Sequence, residues 1–443
     1  MSINLKKNII MSSSFRIVVL ILSFVSSWVT ARYLGVELKG ILSYFITLGG
    51  FIWMVMDFGL FRSYPYIVRK NPDKVDSLFA WTMLCFIAET AILSILGIWL
   101  LPVWSGLLGF VFSKATIILF VLFITLTKVF MQLQGLFVGQ DRIFDSSIGY
   151  FLSSFIGTCL FIVAFFFLRS GDRLLTVMSI SIFTAFCCAV YLMLRYRRKL
   201  KLTEIDLKFS KVAYGYGFRV FLSSLFILLL LKVDIVIVKR LLGFAEVGIY
   251  SVASHIVDML QVASNMVGSL LLVKLSDTDN DVEKWVLMKK MLMVFFVFLS
   301  IANIGFIALG KIILHVMFGV QFVPVYYVYI WLMPACYGLS FGSLFNNYLN
   351  AKGFPIISII LPAMAVVLNV ALNYLLIPFW GIYGAAVATS VAYLLWFLLI
   401  VAYEQRCTNG KMINHLMPVR QDWIDIYRLA LNLIHIKKRT QKG

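Results

Sequence analysis

The sequence predicts an all-α polytopic membrane protein with about twelve transmembrane helices in two six-helix lobes. Three observations carry that fold class. Of 443 residues, 62% are hydrophobic and 13% charged, and the mean hydropathy is +0.95. No soluble chain of this size needs so much apolar material. The apolar residues gather into twelve runs, each near the ~20 residues that cross a bilayer as a helix. Lysine and arginine flank those runs with a strong bias to one side.

The first six runs cover 15–34, 41–61, 78–101, 115–138, 147–168 and 174–194. The second six cover 212–238, 246–273, 291–310, 325–348, 355–378 and 382–403. The first run has basic residues ahead of it and Val29-Thr30-Ala31 near its end, as a signal peptide would. The many similar runs that follow favour a retained first helix. A break at 309–325 reads as a short surface helix between the ninth and tenth spans. Loops between spans reach at most 17–18 residues. That excludes an embedded soluble catalytic domain and argues against a membrane glycosyltransferase or polysaccharide polymerase.

With the N-terminus inside, 28 of the 39 Lys and Arg residues fall on the cytoplasmic side and 8 on the other. Lys128, Arg219 and Lys232 remain within spans. The split places both termini in the cytoplasm. It also accounts for the net charge of +19 without nucleic acid, for which no groove-reading motif exists. Six cysteines form no CxxC pair and read as small apolar core residues, with neither a disulfide framework nor a metal site. Walker A and HExxH motifs are missing, so the chain is not read as an enzyme.

A weak repeat divides the chain. Leu34-Gly35 through Gly40-Ile41 recurs as Leu242-Gly243 through Gly248-Ile249, 208 residues later. Gln140-Asp141-Arg142 and Lys352-Gly353-Phe354 fall in matching places after the fourth and tenth spans. The expected domains are an N-lobe over 1–205, a C-lobe over 206–404 and a cytoplasmic tail over 405–443. In the tail, Asp425, Arg428, Asn432 and His435 step by three and four, leaving the rest of Asp422–Ile436 mostly apolar. An interfacial amphipathic helix follows from that spacing.

Tyr214 to Leu260 organises the interior. Two apolar helices here carry Arg219, Lys232, Asp234, His255 and Asp258. An ionisable group in hydrocarbon costs several kcal/mol, so it faces a protein interior or a water-filled cavity. Arg219 lies beyond easy snorkelling, Lys232 is about 20 Å further along the helix, and Lys128 sits mid-span. Two readings stay open for these cations. They line a cavity that receives an anion, or they pair with carboxylates, Lys232 with Asp234 and Lys128 with Glu89 or Asp57. Asp258, Asp234, Glu89 and His255 are the groups able to couple transport to H+ or Na+, against a helix-packing polar network. Asp57, beside Gly59, reads as a cap or hinge. Tyr326, Tyr327, Tyr329, Trp331 and Trp380 read mostly as interfacial aromatics, and for Tyr214, Tyr216 and Tyr337 stacking on sugar rings is the lesser of the readings.

Three stretches carry a family resemblance. One is Asn369-Val-Ala-Leu-Asn373, then Ile377-Pro378, then Gly381-Ile-Tyr-Gly384-Ala-Ala386. The others are Ala31-Arg32-Tyr-Leu-Gly35 with Asp57-Phe-Gly59, and Val233-Asp234 through Val247-Gly248-Ile-Tyr250. Together they resemble the polysaccharide-export branch of the multidrug/oligosaccharidyl-lipid/polysaccharide (MOP) exporter superfamily, nearest its Wzx-type O-antigen flippases. The resemblance implies a bacterial inner-membrane protein whose two six-helix lobes surround a central cavity that opens alternately to each side. Its substrate would be an undecaprenyl-pyrophosphate-linked oligosaccharide, with membrane lipids, a glycan polymerase and a chain-length regulator as partners. Arg219, Lys128 and Lys232 would then meet the pyrophosphate or acidic sugars. Asn369 and Asn373 share one helix face, able to pack against a neighbouring helix or to bind sugar hydroxyls. Gly381, Gly384, Ala385, Ala386 and Ala388 read as close helix packing, and Pro378 as the end of the eleventh span. The alternatives are a cation-coupled multidrug exporter of the same superfamily, a lipid II flippase, and a membrane glycan polymerase or transferase.

Overall fold

The computed structural model describes residues 3–102, 113–168, 171–196, 205–276, 280–351 and 356–424. Every regular element among them is helical. The helices are α1 (Ile3–Asp57), α2 (Leu60–Lys70), α3 (Val75–Trp99), α4 (Lys114–Gly139), α5 (Ile143–Phe167), α6 (Arg173–Tyr196) and α7 (Leu207–Leu242). They continue as α8 (Phe244–Ser276), α9 (Asp281–Ile313), α10 (Pro324–Ala351), α11 (Ile357–Trp380), α12 (Ile382–Cys407) and the short α13 (Lys411–Leu416). Among the described residues, ten segments are long and apolar enough to cross a bilayer. The first of these, Phe15–Lys70, holds two expected spans on either side of a break in α1 at Gly35. Counting both, and adding α8, gives the twelve helices read from the sequence. The chain is a multi-pass membrane protein.

The chain forms two compact units. The first comprises Met1–Val252, Ile313–Val325 and Ile377–Ile382, and the second Ala253–Ile312, Tyr326–Leu376 and Tyr383–Gly443. This division groups α7 with the N-terminal helices, whereas the repeat sets its boundary at 205.

In the first unit α4 is the central helix, touching α1, α2, α3, α5 and α6. Its Val129, Leu133, Leu136 and Phe137 pack with Tyr64 of α2, Leu78 of α3 and Cys188 and Leu192 of α6 in one buried cluster. Burial on all sides explains how α4 can hold polar groups away from lipid.

The repeat has a physical form in this unit. Gly35 has φ 77° and ψ 179°, and Gly243 has φ 101° and ψ −177°. Positive φ with extended ψ is open essentially to glycine alone. Gly40 and Gly248 are related by the same interval. A Cβ on Gly40 would overlap the Phe244 carbonyl oxygen, and one on Gly248 would overlap the Val36 carbonyl oxygen. Val36 and Phe244 are also 208 residues apart. The two copies therefore meet reciprocally, as the halves of a two-fold interface do.

The break at 309–325 is not a surface helix. α9 runs on to Ile313, followed by a π-type turn over Leu314–Phe318 and a 3-10 turn over Val320–Phe322. Leu314, Phe318 and Phe322 are buried. Trp28 Nε1 donates to the Met317 carbonyl at 2.5 Å, and Arg32 Nη1 donates to the carbonyls of Val316 and Met317 at 2.7 and 2.9 Å. Those donors satisfy carbonyls that a helix end leaves free.

In the second unit α10 and α12 approach closely at Gly338 and Gly342, which lie against Tyr393, Leu394 and Trp396. This is small-xxx-small packing, which replaces hydrophobic drive between helices in lipid. Ala385, Ala386 and Ala388 are fully buried, as packing positions require. Pro378 does not end α11. The helix continues to Trp380 and stops at Gly381, whose φ is 56°. A second correction concerns cysteine: Cys159 and Cys407 are exposed, while Cys188 and Cys336 are buried.

The start of the tail docks on α9. Lys289 Nζ lies 2.7 Å from Asp422 Oδ2, and the His415 ring stacks on Trp285 at 5.6 Å. The amphipathic stretch from Asp425 onward lies outside the described residues. Bonds from Lys289 and from the Val419 N–H hold the Asp422 carboxyl below the usual carboxylate range. A lowered folded-state pKa stabilises docking above the unfolded value, about 3.9, and that contribution is lost as pH falls through the folded value. Asp422→Asn removes it at neutral pH. Limited proteolysis should then cut 417–424 faster in the variant than in the wild type; equal rates would mean the ion pair does not hold the tail.

Candidate functional site

The first unit carries a charged interior built on α4. Lys128 and Gln132 are four residues apart and share a face, and both are buried. Lys128, 1% exposed, forms an ion pair with Glu89 of α3. Of the two pairings open from the sequence, the structure realises Glu89. Glu89 Oε2 is buried and has no hydrogen-bond partner among the described residues. Gln132 Nε2 donates to Asp57 Oδ1 at 2.8 Å, while Asp57 Oδ2 accepts from the Phe61 N–H at 3.1 Å. Asp57 thus caps the start of α2 and ties the end of α1 to α4. Gly59, at φ 81°, lets the chain turn between them.

Beside this network stands an aromatic shelf. Trp81 Nε1 donates to the Tyr214 hydroxyl at 3.4 Å, and Phe58 stacks on Phe221 and Phe218 at 5.0 and 5.4 Å. Phe218 is 43% exposed, leaving the shelf open on one side. Tyr214 therefore belongs to an aromatic group. The side chains of Tyr216 and Arg219 are not among those described.

Asp234 of α7 is fully buried. It accepts from the Tyr250 hydroxyl at 2.5 Å and from the Ile235 N–H at 2.8 Å. Lys232 is half-buried on the same helix. In the second unit His255 and Asp258 are half-buried on α8. Asn369 and Asn373 of α11 are fully buried. Asn373 Nδ2 donates to Asn369 Oδ1 and to the Asn369 carbonyl, both at 2.8 Å, while Asn369 Nδ2 and Asn373 Oδ1 find no partner among the described residues. The unfilled valences leave the pair able to bond outward. Tyr329 departs from the aromatic-belt reading: it is buried and donates to Asn303 Oδ1 at 2.8 Å. Tyr337 bonds with Ser300 at 3.0 Å.

The structure thus joins Lys128 to Glu89 and Asn369 to Asn373. Lys128, Glu89, Arg219, Lys232 and Asp234 fall in one compact unit, and His255, Asp258, Asn369 and Asn373 in the other. Arg62 is a residue the sequence reading missed. It counts there as a loop cation, but it opens α2, stands over the Phe61 ring at 5.3 Å and acts electrostatically on Asp57 and Tyr150. Among the described residues no three His, Cys, Asp or Glu side chains group to hold a metal.

Residues 5–273, well over half the chain, match the model of the polysaccharide biosynthesis protein family. The chain belongs to that family. None of the curated protein sequences matches it. The fold is that of MOP superfamily transporters. Lipid II flippase MurJ in an inward closed conformation is similar over 97% of this chain and 93% of its own, with a TM-score of 0.72 at 14% identity. An inward-facing multidrug resistance MATE family transporter is similar over 90% and 99%, with a TM-score of 0.71 at 12% identity. A MOP superfamily transporter from Pyrococcus furiosus is similar over 90% and 96%, with a TM-score of 0.62 at 14% identity.

Proposed function

We propose that this member of the polysaccharide biosynthesis protein family flips undecaprenyl-pyrophosphate-linked oligosaccharide repeat units from the cytoplasmic to the periplasmic leaflet. It works in a bacterial inner membrane, with both termini cytoplasmic, by ion-coupled alternating access between lobes 1–205 and 206–404. The glycan served is O-antigen or a related surface polysaccharide. The observation that carries this reading is Lys128, a cation held at 1% exposure in the centre of a membrane bundle. An anionic headgroup is the natural partner for a cation that hydrocarbon would otherwise exclude.

Glu89 then acts as a resident counter-ion. With no substrate it neutralises Lys128. A pyrophosphate displaces it, and it reclaims the ammonium as the substrate leaves, so binding stays reversible. Arg219 and Lys232 extend the cationic path, and Asn369 and Asn373 offer bonds to sugar hydroxyls. Asp258, Asp234, Glu89 and His255 are the groups through which H+ or Na+ couples to transport. A glycan polymerase and a chain-length regulator act downstream on the product. The MurJ likeness supports a lipid-linked substrate.

The test is the leaflet distribution of undecaprenyl-linked oligosaccharide in cells lacking the protein. Completed units should accumulate on the cytoplasmic leaflet and clear when the gene is restored. A normal lipid-linked pool with unchanged surface glycan would end the flippase reading. A second reading, a cation-coupled multidrug exporter, is favoured by Asp57 and Glu89 near the shelf of Phe58, Trp81 and Tyr214, which would suit a cationic aromatic drug. Drug-efflux assays on the same cells separate the two.

A further inference from the structure

A different polar feature lies at the far end of α4 from Lys114. Where α2 and α4 end and α3 and α5 begin, a cavity of about 450 Å³ is lined by Val68, Arg69, Pro72, Asp141, Arg142 and Tyr196 among others. The Tyr196 hydroxyl donates to Asp76, and its ring stacks on Phe79 at 4.0 Å. One wall is therefore rigid and aromatic, another is apolar, and the rest is charged.

The charged groups are unequally bound. Arg142 gives Nε and Nη2 to Asp145 Oδ2 at 2.9 and 2.8 Å, gives Nη2 also to the Arg195 carbonyl at 3.1 Å, and stands over the Phe137 ring at 4.5 Å. Arg195 takes the other Asp145 oxygen with Nε at 2.9 Å and Nη2 at 2.8 Å. Two guanidinium groups thus share one carboxylate, which leaves a positive charge uncompensated. Arg142 is fixed in place, and no bond to its Nη1 is formed among the described residues. Arg69 is different. Its Nη2 meets Asp141 Oδ1 at 2.6 Å, but the two side chains are 59% and 65% exposed. A pair so exposed is weak, so an anion can displace Asp141 from Arg69 easily.

We propose that this cavity binds a phosphate ester, and specifically the headgroup of an anionic phospholipid of the surrounding leaflet. Guanidinium groups bind phosphate oxygens through paired N–H donors. Arg142 supplies a fixed donor, Arg69 a mobile one, and Val68 and Pro72 give the ester substituent an apolar wall. The cavity sits at helix ends rich in Lys and Arg, where a multi-pass chain meets the membrane surface. Leu194, next to Arg195, is 74% exposed, as a lipid-facing side chain at that boundary would be. Soluble phosphate offers the same chemistry without the membrane.

Native mass spectrometry of the purified full chain, titrated with phosphatidylglycerol, phosphatidylethanolamine or inorganic phosphate, tests this. Phosphatidylglycerol should bind about tenfold tighter than phosphatidylethanolamine. Arg69→Gln, at an exposed position the fold tolerates, should weaken it about fivefold or more. Asp141→Asn, which removes the competing carboxylate, should tighten it. Lys114→Gln, an exposed charge at the other end of α4, should change nothing. The proposal is overturned if Arg69→Gln and Asp141→Asn bind like wild type, or if Lys114→Gln weakens binding as much as Arg69→Gln. Displacement of the lipid by inorganic phosphate at equal concentration would assign the site to free phosphate instead. Binding is read on purified protein, so transport does not enter it, and failure here leaves the flippase reading standing.

Discussion

Lys128→Met should abolish glycan export and destabilise the protein by about 3 kcal/mol, because removing one member of a buried ion pair leaves the other charge uncompensated. Glu89, whose side chain is 24% exposed, would then lose its cation, and one of its oxygens already lacks a partner among the described residues. The informative control is Lys128→Met combined with Glu89→Met. Replacing a buried pair by apolar groups of similar volume is close to neutral, so the double variant should recover the wild-type melting temperature to within a few degrees. It should still fail to export glycan, since the cation is gone. Thermal unfolding in detergent reads the first expectation and surface glycan in complemented cells reads the second. Export by the double variant would reduce Lys128 to a structural residue.

Gly40→Ala and Gly248→Ala should each cost about 3 kcal/mol or more, although alanine normally favours a helix over glycine by about 1 kcal/mol. The added methyl group would overlap a backbone carbonyl oxygen in both cases, and backbone cannot move aside as a side-chain tip can. Gly50→Ala is the control, because nothing lies within 4 Å of its added Cβ. It should melt at or above the wild-type temperature. If Gly40→Ala melts with Gly50→Ala, the two backbones do not meet as described.

The span count was legible because bilayer thickness fixes helix length whatever the tertiary structure. The repeat was legible because glycine at 35 and 243 marks a backbone shape that other residues resist. The Asn369 and Asn373 pair followed from helical spacing alone. Pairing between helices was harder to read. Lys128 had two carboxylates to choose from, and only packing of α3 on α4 decides for Glu89. Nothing in the sequence joins Tyr250 to Asp234, sixteen residues apart across a glycine turn. Arg62 was hidden because Gly59 breaks the helix earlier than hydropathy does, so a residue read as loop opens α2. The segment 314–322 looked superficial because its donors, Trp28 and Arg32, come from the other end of the chain.

The glycine contact also bears on inheritance. A gene for a two-fold dimer delivers every interface mutation twice, once to each subunit. A chain that carries both halves of such an interface receives it once, and the unaltered mate still presents its original surface. Each half is then free to change alone: Val36 and Phe244, at matched positions in the two glycine contacts, carry a small side chain and a large one.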